Sequence, residues 1–434
     1  MRATFLKLAL PFVGASLWAA SAPSQITFHK DIEPILQNRC QECHRAGEIA
    51  PFPLMSYKDT RPWAKAIRED VLTKKMPPWF ADQSIGHFSN DRSLSKAEID
   101  TIVAWVDSGA KEGEAKEAPK AREFVDGWNI PKPDLVIDLG EPFHIGAKEE
   151  VQYQYIVMPT GFTEDKWIQM VEARPSDRSI VHHVVVFVRP ANSKWLREAK
   201  PGVPFTPPGG GKDFNNTSGG GSEVLMIYTP GMIPEVWREG RGKLIPAGSD
   251  LVLQIHYTAN GKDSEDKTKI GLVFAKDKPA ERVLTMGSYN LAFKIPPGDP
   301  NYKVEAMKNT FPNGAEILSF FPHMHVRGKS FEYKVVYPDG RNETLLRVPK
   351  YDFFWQLDYR LAEPLKLPAG ARMECTAWYD NSPNNPKNPD ATKEVRFGEQ
   401  SWEEMMFGFY DIVIPSDMSL REFFTPKQPQ KPSE

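Results

Sequence analysis

The run Ile180-Val-His-His-Val-Val-Val-Phe187 is apolar and rich in β-branched residues, which is the pattern of a buried β-strand. From about Pro131 onward, similar short runs follow one another, separated by Pro, Gly and Asn. The chain of 434 residues contains 39 prolines and 30 glycines, which favour turns and short strands over long helices. We therefore predict a mainly β protein in which residues 131–280 and 281–420 each fold as a jelly-roll-like β-sandwich, with a tail at 421–434.

The N-terminal part of the chain has a different pattern. Residues 23–113 are predicted to form a small all-α domain, and its last helix gives the clearest signal. Ser95 can cap this helix, Glu98 can complete a capping box, and Gly109 can end it. The charged stretch at 114–130 has no apolar face, so we interpret it as a linker to the β-rich part.

Residues 1–22 combine basic side chains, an apolar middle and the small-residue end Ala20-Ser-Ala22, which is the pattern of a secretory signal peptide. We expect the protein to be periplasmic or otherwise exported, and to be held at a membrane only if this segment stays uncleaved. The balance of 54 basic and 57 acidic residues provides no positive surface for nucleic acid, so no nucleic-acid partner is expected.

The stretch Cys40-Gln-Glu-Cys43-His44 has the CxxCH spacing of c-type haem attachment. Two thiols about one helical turn apart can add to the two haem vinyl groups, and the imidazole that follows can bind the iron. A chance cysteine pair or a small zinc site is the alternative, but no second Cys/His pair at zinc-finger spacing follows in the sequence. We predict one covalently bound haem c, held by Cys40, Cys43 and His44.

The sixth iron ligand is predicted to be Met76, in Lys74-Lys-Met-Pro-Pro-Trp79, because the two prolines keep this stretch out of a helix. Met55 is a competitor whose setting indicates ordinary core packing, and His29 and His87 are interpreted as surface histidines. The segment resembles the small bacterial cytochrome c domains that carry a Met-Pro-Pro-Trp motif, and the resemblance covers nearly the whole predicted helical domain.

Five of the 9 histidines lie in three apolar, strand-like runs: His182, His183, His256, His323 and His325. A buried imidazole needs a hydrogen bond or a metal, and an ordinary core histidine would explain any one of them alone. The five together indicate metal binding. His323 and His325 lie two apart on a predicted strand and share a face. His182 and His183 are adjacent, so they can share a metal only across a bulge or through different ring nitrogens.

A methionine pair, Met405 and Met406, supplies a further ligand type. On a strand the two side chains would point to opposite faces, so that one can pack in the core while the other faces a metal. A thioether beside two imidazoles suits copper, especially Cu(I), better than magnesium, calcium or structural zinc.

These segments resemble, in order, the copper type II ascorbate-dependent monooxygenases, the family of peptidylglycine α-hydroxylating monooxygenase and dopamine β-monooxygenase. The resemblance covers roughly residues 130–415, and the matching stretches are Val181-His-His-Val184, Leu253-Gln-Ile-His-Tyr257, His323-Met-His-Val-Arg-Gly-Lys329 and Glu403-Glu-Met405. It implies two β-sandwich domains that face each other across a solvent-filled cleft.

The resemblance also implies roles for six residues. His182, His183 and His256 would hold a copper ion that relays electrons. His323, His325 and Met405 would hold the copper ion at which O2 is activated and a substrate C–H bond is hydroxylated. The choice of Met405 over Met406 follows from the match to Glu-Glu-Met.

The chain departs from the family in two ways. Family members are usually rich in disulfides, whereas the haem leaves only Cys375 here, which we expect to be a buried free thiol. The peptide-binding and catecholamine-binding residues of the animal enzymes have no safe counterpart, so the resemblance does not identify a substrate.

The predicted function is that of an exported copper-dependent monooxygenase which hydroxylates a small-molecule or peptide substrate with O2. Two copper ions and one haem c are the expected cofactors, with electrons supplied or relayed by the haem, and an external electron donor is an expected partner. One alternative is a copper- and haem-containing electron-transfer protein without hydroxylase activity. Another is a sandwich-shaped binding module without metals.

Overall fold

The computed structural model describes residues 25–124, 127–207 and 223–426. The predicted signal peptide at 1–22 and most of the predicted tail lie outside the described residues. Strands account for 36 % of the chain and helices for 12 %, so the prediction of a mainly β protein is confirmed. Among the described residues, no helix has the length and apolar character needed to cross a bilayer.

Short helices occupy the beginning of the described chain and its end. A π-helical turn spans Phe28–Ile32, and 3₁₀ turns span Arg61–Trp63 and Ala115–Glu117. The α-helices are α1 (Glu33–Arg39), α2 (Tyr57–Thr60), α3 (Ala64–Leu72), α4 (Lys96–Asp107) and α5 (Leu420–Phe424).

The strands fall into two consecutive groups. The first group is β1 (Leu135–Asp138), β2 (Phe143–Ile145), β3 (Gln154–Pro159), β4 (Lys166–Arg174), β5 (Val181–Arg189), β6 (Glu223–Tyr228), β7 (Glu235–Val236), β8 (Arg241–Ile245), β9 (Asp250–Tyr257), β10 (Ser264–Asp266) and β11 (Lys269–Phe274). The second group is β12 (Glu281–Tyr289), β13 (Lys294–Ile295), β14 (Tyr302–Glu305), β15 (Asn309–Phe311), β16 (Ala315–His323), β17 (Gly328–Val336), β18 (Asn342–Val348), β19 (Tyr359–Leu367), β20 (Ala371–Tyr379), β21 (Val395–Arg396) and β22 (Phe407–Pro415).

One long sheet runs through both groups, in the order β1-β11-β4-β8-β12-β22-β16-β19, with β7 attached to β4. The groups join where β8 pairs in parallel with β12, at Arg241 and Glu281. A sheet β3-β9-β5-β6 belongs to the first group, and a sheet β14-β20-β17-β18, with β15 on β20, belongs to the second. Two further pairs, β2 with β10 and β13 with β21, complete the described sheets.

Each half of the long sheet packs against a smaller sheet through buried apolar side chains. In the first half, Ile168 and Leu272 of the long sheet belong to the same core as Val184 and Leu253 of the smaller sheet. In the second half, a separate core includes residues of β12, β16 and β22 together with residues of β17, β18 and β20. This layering of sheet on sheet is consistent with sandwich packing.

The N-terminal helices enclose a core of their own, which includes Phe28, Leu36, Ile102 and Trp105. Helix α4 begins as the sequence predicts. The Ser95 hydroxyl accepts from the Glu98 N–H, the Glu98 carboxylate accepts from the Ser95 N–H, and Gly109 follows the helix with a φ of 98°. Trp105 is fully buried on this helix although the sequence pattern did not single it out.

The N-terminal region is joined to the second sandwich by a strap at residues 79–92. Trp79 is 8 % exposed and belongs to the second sandwich's core, where its ring centroid lies 4.9 Å from that of Tyr359. Phe88 forms a β-bridge with Leu361, and the Ser89 N–H donates to the Arg360 carbonyl. The predicted helical domain therefore packs directly on the β-rich part.

The described residues of the predicted linker, 114–124 and 127–130, are irregular apart from the 3₁₀ turn at Ala115–Glu117, and they contact the N-terminal helices. Arg122 donates to the Gln37 carbonyl at 3.0 Å and pairs with Glu42 at 2.6 Å. At its far end, the Asn129 N–H and side chain both donate to the Glu172 carboxylate on β4. These contacts fix both ends of the connection.

Candidate metal centres and haem-attachment motif

Strands β5 and β9 bring three of the predicted ligands together. His183 on β5 pairs in register with His256 on β9, and the register shifts between Val181 and His183. A regular strand would send the side chains of His182 and His183 to opposite faces, but this irregularity brings them to one side. One ring nitrogen from each of the three histidines lies within 4.8 Å of the others. Of the two arrangements that the sequence left open for a shared metal, a bulge or the use of different ring nitrogens, the bulge is present.

Hydrogen bonds assign the ring nitrogens of this first group. His182 Nε2 lies 3.1 Å from the Phe353 carbonyl, which can only accept, so Nε2 carries the proton and Nδ1 keeps its lone pair. That Nδ1 lies 3.3 Å from Nδ1 of His183. Nδ1 of His256 is buried and has no hydrogen-bond partner within the described ranges. The lone pair on Nδ1 of His182 and the unpartnered Nδ1 of His256 fit a metal ion, although the contact between the two Nδ1 atoms does not assign the tautomer of His183.

The second pair of histidines lies at the end of β16. The strand ends at His323, and His325 lies in the loop that follows, with the two ring centroids 5.3 Å apart. The prediction that both sit on one strand was therefore wrong for His325. The chain turns here because the Glu404 carboxylate accepts from the N–H groups of His325, at 2.8 Å, and Arg327, at 2.6 Å.

The second pair also has its ring nitrogens assigned. His323 Nδ1 lies 2.6 Å from Oε1 of Gln356, and His325 Nδ1 lies 3.3 Å from the Glu403 carbonyl. Because each oxygen accepts a proton from Nδ1, Nε2 of each ring keeps a free lone pair. Nε2 of His325 is buried and unpartnered among the described residues. The donor set again fits a metal ion.

The structure separates the two methionines. Both precede β22 rather than lying on it, so the predicted strand alternation does not apply. Met405 lines a cavity together with His323. Met406 is fully buried in the apolar core of the second sandwich. Met405 therefore lines the same cavity as His323, and its choice over Met406 as a metal ligand stays a prediction.

The two histidine groups adjoin each other. The ring centroids of His183 and His323 are 6.0 Å apart, at a perpendicular orientation. The loop after β18 reaches both groups, because Phe353 stacks on His182 with centroids 4.2 Å apart while Gln356 holds His323. The resemblance implied groups separated by a solvent-filled cleft, and this expectation was wrong for the structure described here.

Burial lowers the pKa of all five histidines, and it brings the pKa of His182 and His323 to about 4. Neighbouring imidazoles lower the pKa of His183, His256 and His325 further, since two adjacent rings resist carrying charge together. All five rings are therefore neutral at pH 7 and keep a lone pair for a metal.

Glu404 is a residue to which sequence reasoning gave no role. It is fully buried, and burial raises the pKa of its carboxyl to about 8. Its neighbour Arg327 is also buried, and donates to the Asn381 side chain and the Trp402 carbonyl. The sequence signal that could have found Glu404 is its position immediately before Met405, because a carboxylate there can reach the loop that carries His325.

The haem-attachment motif forms a tight turn after α1. The N–H groups of Cys43 and His44 both donate to the Cys40 carbonyl, at 3.1 and 2.9 Å. Both thiols are free, and burial raises the pKa of Cys40 to about 12 and also that of Cys43. His44 donates from Nδ1 to the Phe52 carbonyl at 3.0 Å, which leaves Nε2 free. Two thiols and one available imidazole nitrogen fit covalent haem.

Two aromatic side chains, Phe52 and Trp63, pack next to His44 of this motif. The Phe52 ring lies 5.0 Å from that of His44 and stacks at 4.1 Å on Trp63, which is 42 % exposed. Met76, the predicted sixth ligand, lies in the loop after α3 and is partly exposed. His29 pairs with Glu33 at 2.8 Å, and His87 is exposed.

The haem-attachment motif also faces the first sandwich. Cys43 and Glu48 line a cleft whose opposite wall contains Arg178 and Tyr228. Glu48 pairs with Arg178 at 3.4 Å, and Arg178 donates to the Tyr228 hydroxyl at 3.2 Å. Ile227 of β6 lines both this cleft and the cavity beside His323. Strand β6 therefore borders both the cleft beside Cys43 and the cavity beside His323.

Comparisons with known proteins do not identify a family. No family model matches the chain, and no curated protein matches it. Among solved structures, the STIV MCP is 9 % identical, with a TM-score of 0.28 over 65 % of this chain and 96 % of that chain. Infectious bursal disease virus Gx strain is 7 % identical, with a TM-score of 0.20 over 69 % and 76 %. Such TM-scores support no argument about fold or function.

Proposed function

We propose that this protein is an exported copper-dependent monooxygenase that receives its electrons through a covalently bound haem c, related to the copper type II ascorbate-dependent monooxygenases. The net reaction is R–H + O2 + 2 e⁻ + 2 H⁺ → R–OH + H2O. The observation that carries the proposal is the tautomer pattern of the histidines. Each of three rings donates from one nitrogen to a carbonyl or amide oxygen and leaves the other for a metal: His182, His323 and His325.

The residues divide into two ligand groups. His182, His183 and His256 would hold one copper through Nδ1, and His323, His325 and Met405 would hold the other through Nε2 and the thioether sulfur. Copper bound at these groups would supply electron transfer and O2 activation, and haem would supply the electrons. The chemistry of the donors supports this choice, because neutral imidazoles with one thioether are soft enough for Cu(I).

The chain itself orients these ligands. The carbonyls of Phe353 and Glu403 and the amide of Gln356 each accept a proton from an imidazole, which fixes its tautomer and its ring orientation. Glu404 fixes the backbone between His325 and Arg327. The side chains around the groups are mostly buried, which keeps water away from the reacting centre.

The position of the haem-attachment motif supports the role of the haem. Cys43 lies across a cleft from Tyr228, and the next residue, Thr229, donates its hydroxyl to the Gln356 carbonyl. Gln356 in turn accepts from His323. A short series of packed and hydrogen-bonded residues thus links the haem-attachment motif to the second ligand group. A haem tethered in this way would have a high effective concentration as electron donor to the copper site.

The test is reoxidation of the haem by O2. The holoprotein, loaded with copper, is reduced under argon and mixed with O2 while the absorbance of the reduced haem is followed. We expect rapid reoxidation in the native protein and at least about tenfold slower reoxidation after H323A/H325A. The variant H29A/H87A serves as a matched control and should behave as the native protein.

Three outcomes would count against the proposal. Metal analysis of the native holoprotein that shows no stoichiometric copper would remove its basis. Equal rates in the native protein and in H323A/H325A would show that the second ligand group takes no part in oxygen chemistry. Rapid electron transfer to copper without any ¹⁸O incorporated from ¹⁸O2 into an organic product would favour the electron-transfer alternative.

A further inference from the structure

Packed aromatic rings connect the predicted haem ligand His44 to the protein surface. The ring centroid of Phe52 lies 5.0 Å from that of His44, and Phe52 stacks on Trp63 at 4.1 Å with 9° between the ring planes. The Phe52 carbonyl also accepts from Nδ1 of His44. Trp63 is exposed to solvent. Because electrons cross packed rings and hydrogen bonds more readily than open gaps, this aromatic stack is a route for electrons from the surface to His44.

Trp63 lies in an apolar patch of the helical region. The two prolines that flank Phe52 are exposed, and so are Pro62 and Ala66, the neighbours of Trp63 along the helical turns. An aromatic side chain within a small apolar patch is typical of protein contact sites. Cys43, in contrast, faces the first sandwich across a cleft. An external electron donor therefore has a more open approach at Trp63 than at Cys43.

A row of cations accompanies this patch. Lys58, Arg61 and Lys65 are exposed and lie three and four residues apart, so they share one side of the helical turns at 57–72. Among the residues that the structure describes, none of the three forms an ion pair, whereas the nearby Arg68 pairs with Asp107 at 2.9 Å. Residues 58–66 span about 12 Å of helix, so a partner contact of about 600 Å² covers both the cation row and Trp63.

We infer that Trp63 and the cation row form the docking surface for an acidic electron-transfer protein, which passes electrons through Phe52 to the haem at His44. The inference rests on the proposed function and specifies the external electron donor that it needs. The formal net charge of the whole chain is -3, which would repel an acidic donor elsewhere on the surface. The cation row attracts such a donor and orients it over Trp63. In each transfer one electron leaves the donor and reduces the haem iron from Fe(III) to Fe(II), and no bond forms or breaks.

The test is reduction of the haem by an acidic flavodoxin in its hydroquinone form, which is a strong reductant. The full chain with its haem is mixed with increasing concentrations of this donor under argon, and the haem absorbance is followed by stopped flow. We expect the rate to saturate with donor concentration, since a complex forms before the transfer. The second-order rate constant should fall at least about tenfold between ionic strengths of about 0.01 M and about 1 M, because the Debye length shortens from about 30 Å to about 3 Å.

Charge reversal locates the docking surface. K58E/K65E should lower the second-order rate constant at low salt at least about tenfold and remove most of its salt dependence. Calorimetry with oxidised flavodoxin should show weaker binding to this variant. K276E/K278E is the matched control, because it changes the net charge equally at exposed lysines of the first sandwich, and its rate constant should change less than about threefold. Equal rate constants in K58E/K65E and the native protein, or an equal loss in both variants, overturn the inference.

Substitutions at Trp63 test the route through the aromatic stack. W63L keeps an apolar side chain but removes the stacked ring, so the limiting rate at saturating donor should fall at least about fivefold. W63F keeps a ring and should restore most of that rate. The haem absorbance spectrum and thermal unfolding check that both variants keep the haem site intact. An unchanged limiting rate in W63L overturns the assigned route.

The outcomes separate this inference from the proposed function, because haem reduction under argon involves no oxygen chemistry. Reduction that depends on salt, on Lys58 with Lys65 and on Trp63 supports the docking surface, even if haem reoxidation proves independent of the second ligand group. Reduction that ignores all three overturns the docking surface, even if reoxidation behaves as proposed.

Discussion

The imidazoles of His183 and His323 meet edge to face, with ring centroids 6.0 Å apart, although they belong to different sandwiches. His183 lies on a strand of the first smaller sheet, and His323 ends a strand of the long sheet in the second half. The contact follows from the continuous long sheet, because β8 and β12 hold the two halves side by side. The proposed metal groups therefore form one connected site.

Because the two histidine groups adjoin each other, we predict magnetic coupling between the copper ions that they would hold. When both groups are loaded with Cu(II), the EPR spectrum at low temperature should show dipolar broadening or loss of intensity relative to the copper content. H323A/H325A removes the second group, and its spectrum should be that of one isolated cupric ion with full intensity. Two uncoupled signals in the native protein would show that the groups lie far apart in the loaded state.

Gln356 is predicted to strengthen copper binding at the second ligand group. Its Oε1 accepts from His323, and its own amide N–H donates to the Phe353 carbonyl, which fixes the amide orientation. Q356M keeps the size of the side chain but removes the acceptor, so copper affinity at this group should fall about 10–100-fold. Q356E restores an acceptor and should recover most of that affinity. Competition titration with a Cu(I) chelator measures both.

The first histidine group provides the internal control for this prediction, because Gln356 makes no hydrogen bond to any of its three rings within the described structure. One copper should remain tightly bound in Q356M. Loss of both copper ions together, or of neither, would contradict the assigned role.

Glu404 is predicted to be essential for the loop that carries His325. Its carboxyl group accepts from the backbone N–H groups of His325 and Arg327, and Glu404 is fully buried. E404A would leave these two buried N–H groups without an acceptor, and an unsatisfied buried donor costs about 1–3 kcal/mol. E404Q keeps an acceptor and should cost clearly less. Denaturant unfolding of the metal-free proteins gives both values, and equal stability of E404A and the native protein would refute the role.

The sequence predicted features that depend on neighbouring residues better than it predicted contacts between distant parts of the chain. The capping box of Ser95 and the turn at Gly109 depend on neighbouring residues, so their pattern was sufficient. The bulge at His182 was recognised as a requirement, because two adjacent side chains alternate on a regular strand. The loop position of His325 was missed, since it depends on a carboxylate 79 residues away in the chain.

Contacts over long sequence distances also explain the strap at residues 79–92. In the sequence, Trp79 belonged to the predicted ligand loop around Met76, and its aromatic ring had no assigned partner. In the structure, it inserts beside Tyr359, far along the chain. No periodicity within 23–113 could indicate that part of this segment contributes to a sandwich core.

Trp79 is therefore predicted to couple the stability of the helical region to that of the second sandwich. W79A removes a large side chain that is 8 % exposed, which typically costs about 3–5 kcal/mol. W63A is the matched control: Trp63 is 42 % exposed, so its removal should cost less free energy of unfolding. Thermal unfolding should show one transition in the native protein and an earlier, separate helical transition in W79A. Unchanged unfolding would refute the coupling.

The buried histidines are predicted to make acid destabilising in the metal-free protein. The folded-state pKa of His182 and of His323 is about 4, whereas an unfolded histidine titrates near 6.5. Between these values the unfolded chain binds more protons, so stability falls as the pH falls, by up to about 1.4 kcal/mol per pH unit for each ring. Buried carboxyls act in the opposite direction, since burial raises the pKa of Glu235 and Glu399 to about 7.

Single histidine variants separate the effect of the histidines on the pH dependence of stability from the effect of the buried carboxyls, because the carboxyls are present in every variant. H182Q and H323Q remove one titrating ring each, and their free energies of unfolding are compared with that of the native protein at pH 7 and pH 5. The native protein should lose about 2 kcal/mol more than each variant over this interval, because the variant has no buried imidazole to protonate on unfolding. Parallel losses in all three proteins would mean that these rings are not held neutral by burial, and the lone pairs assigned to the metal groups would lose their physical basis.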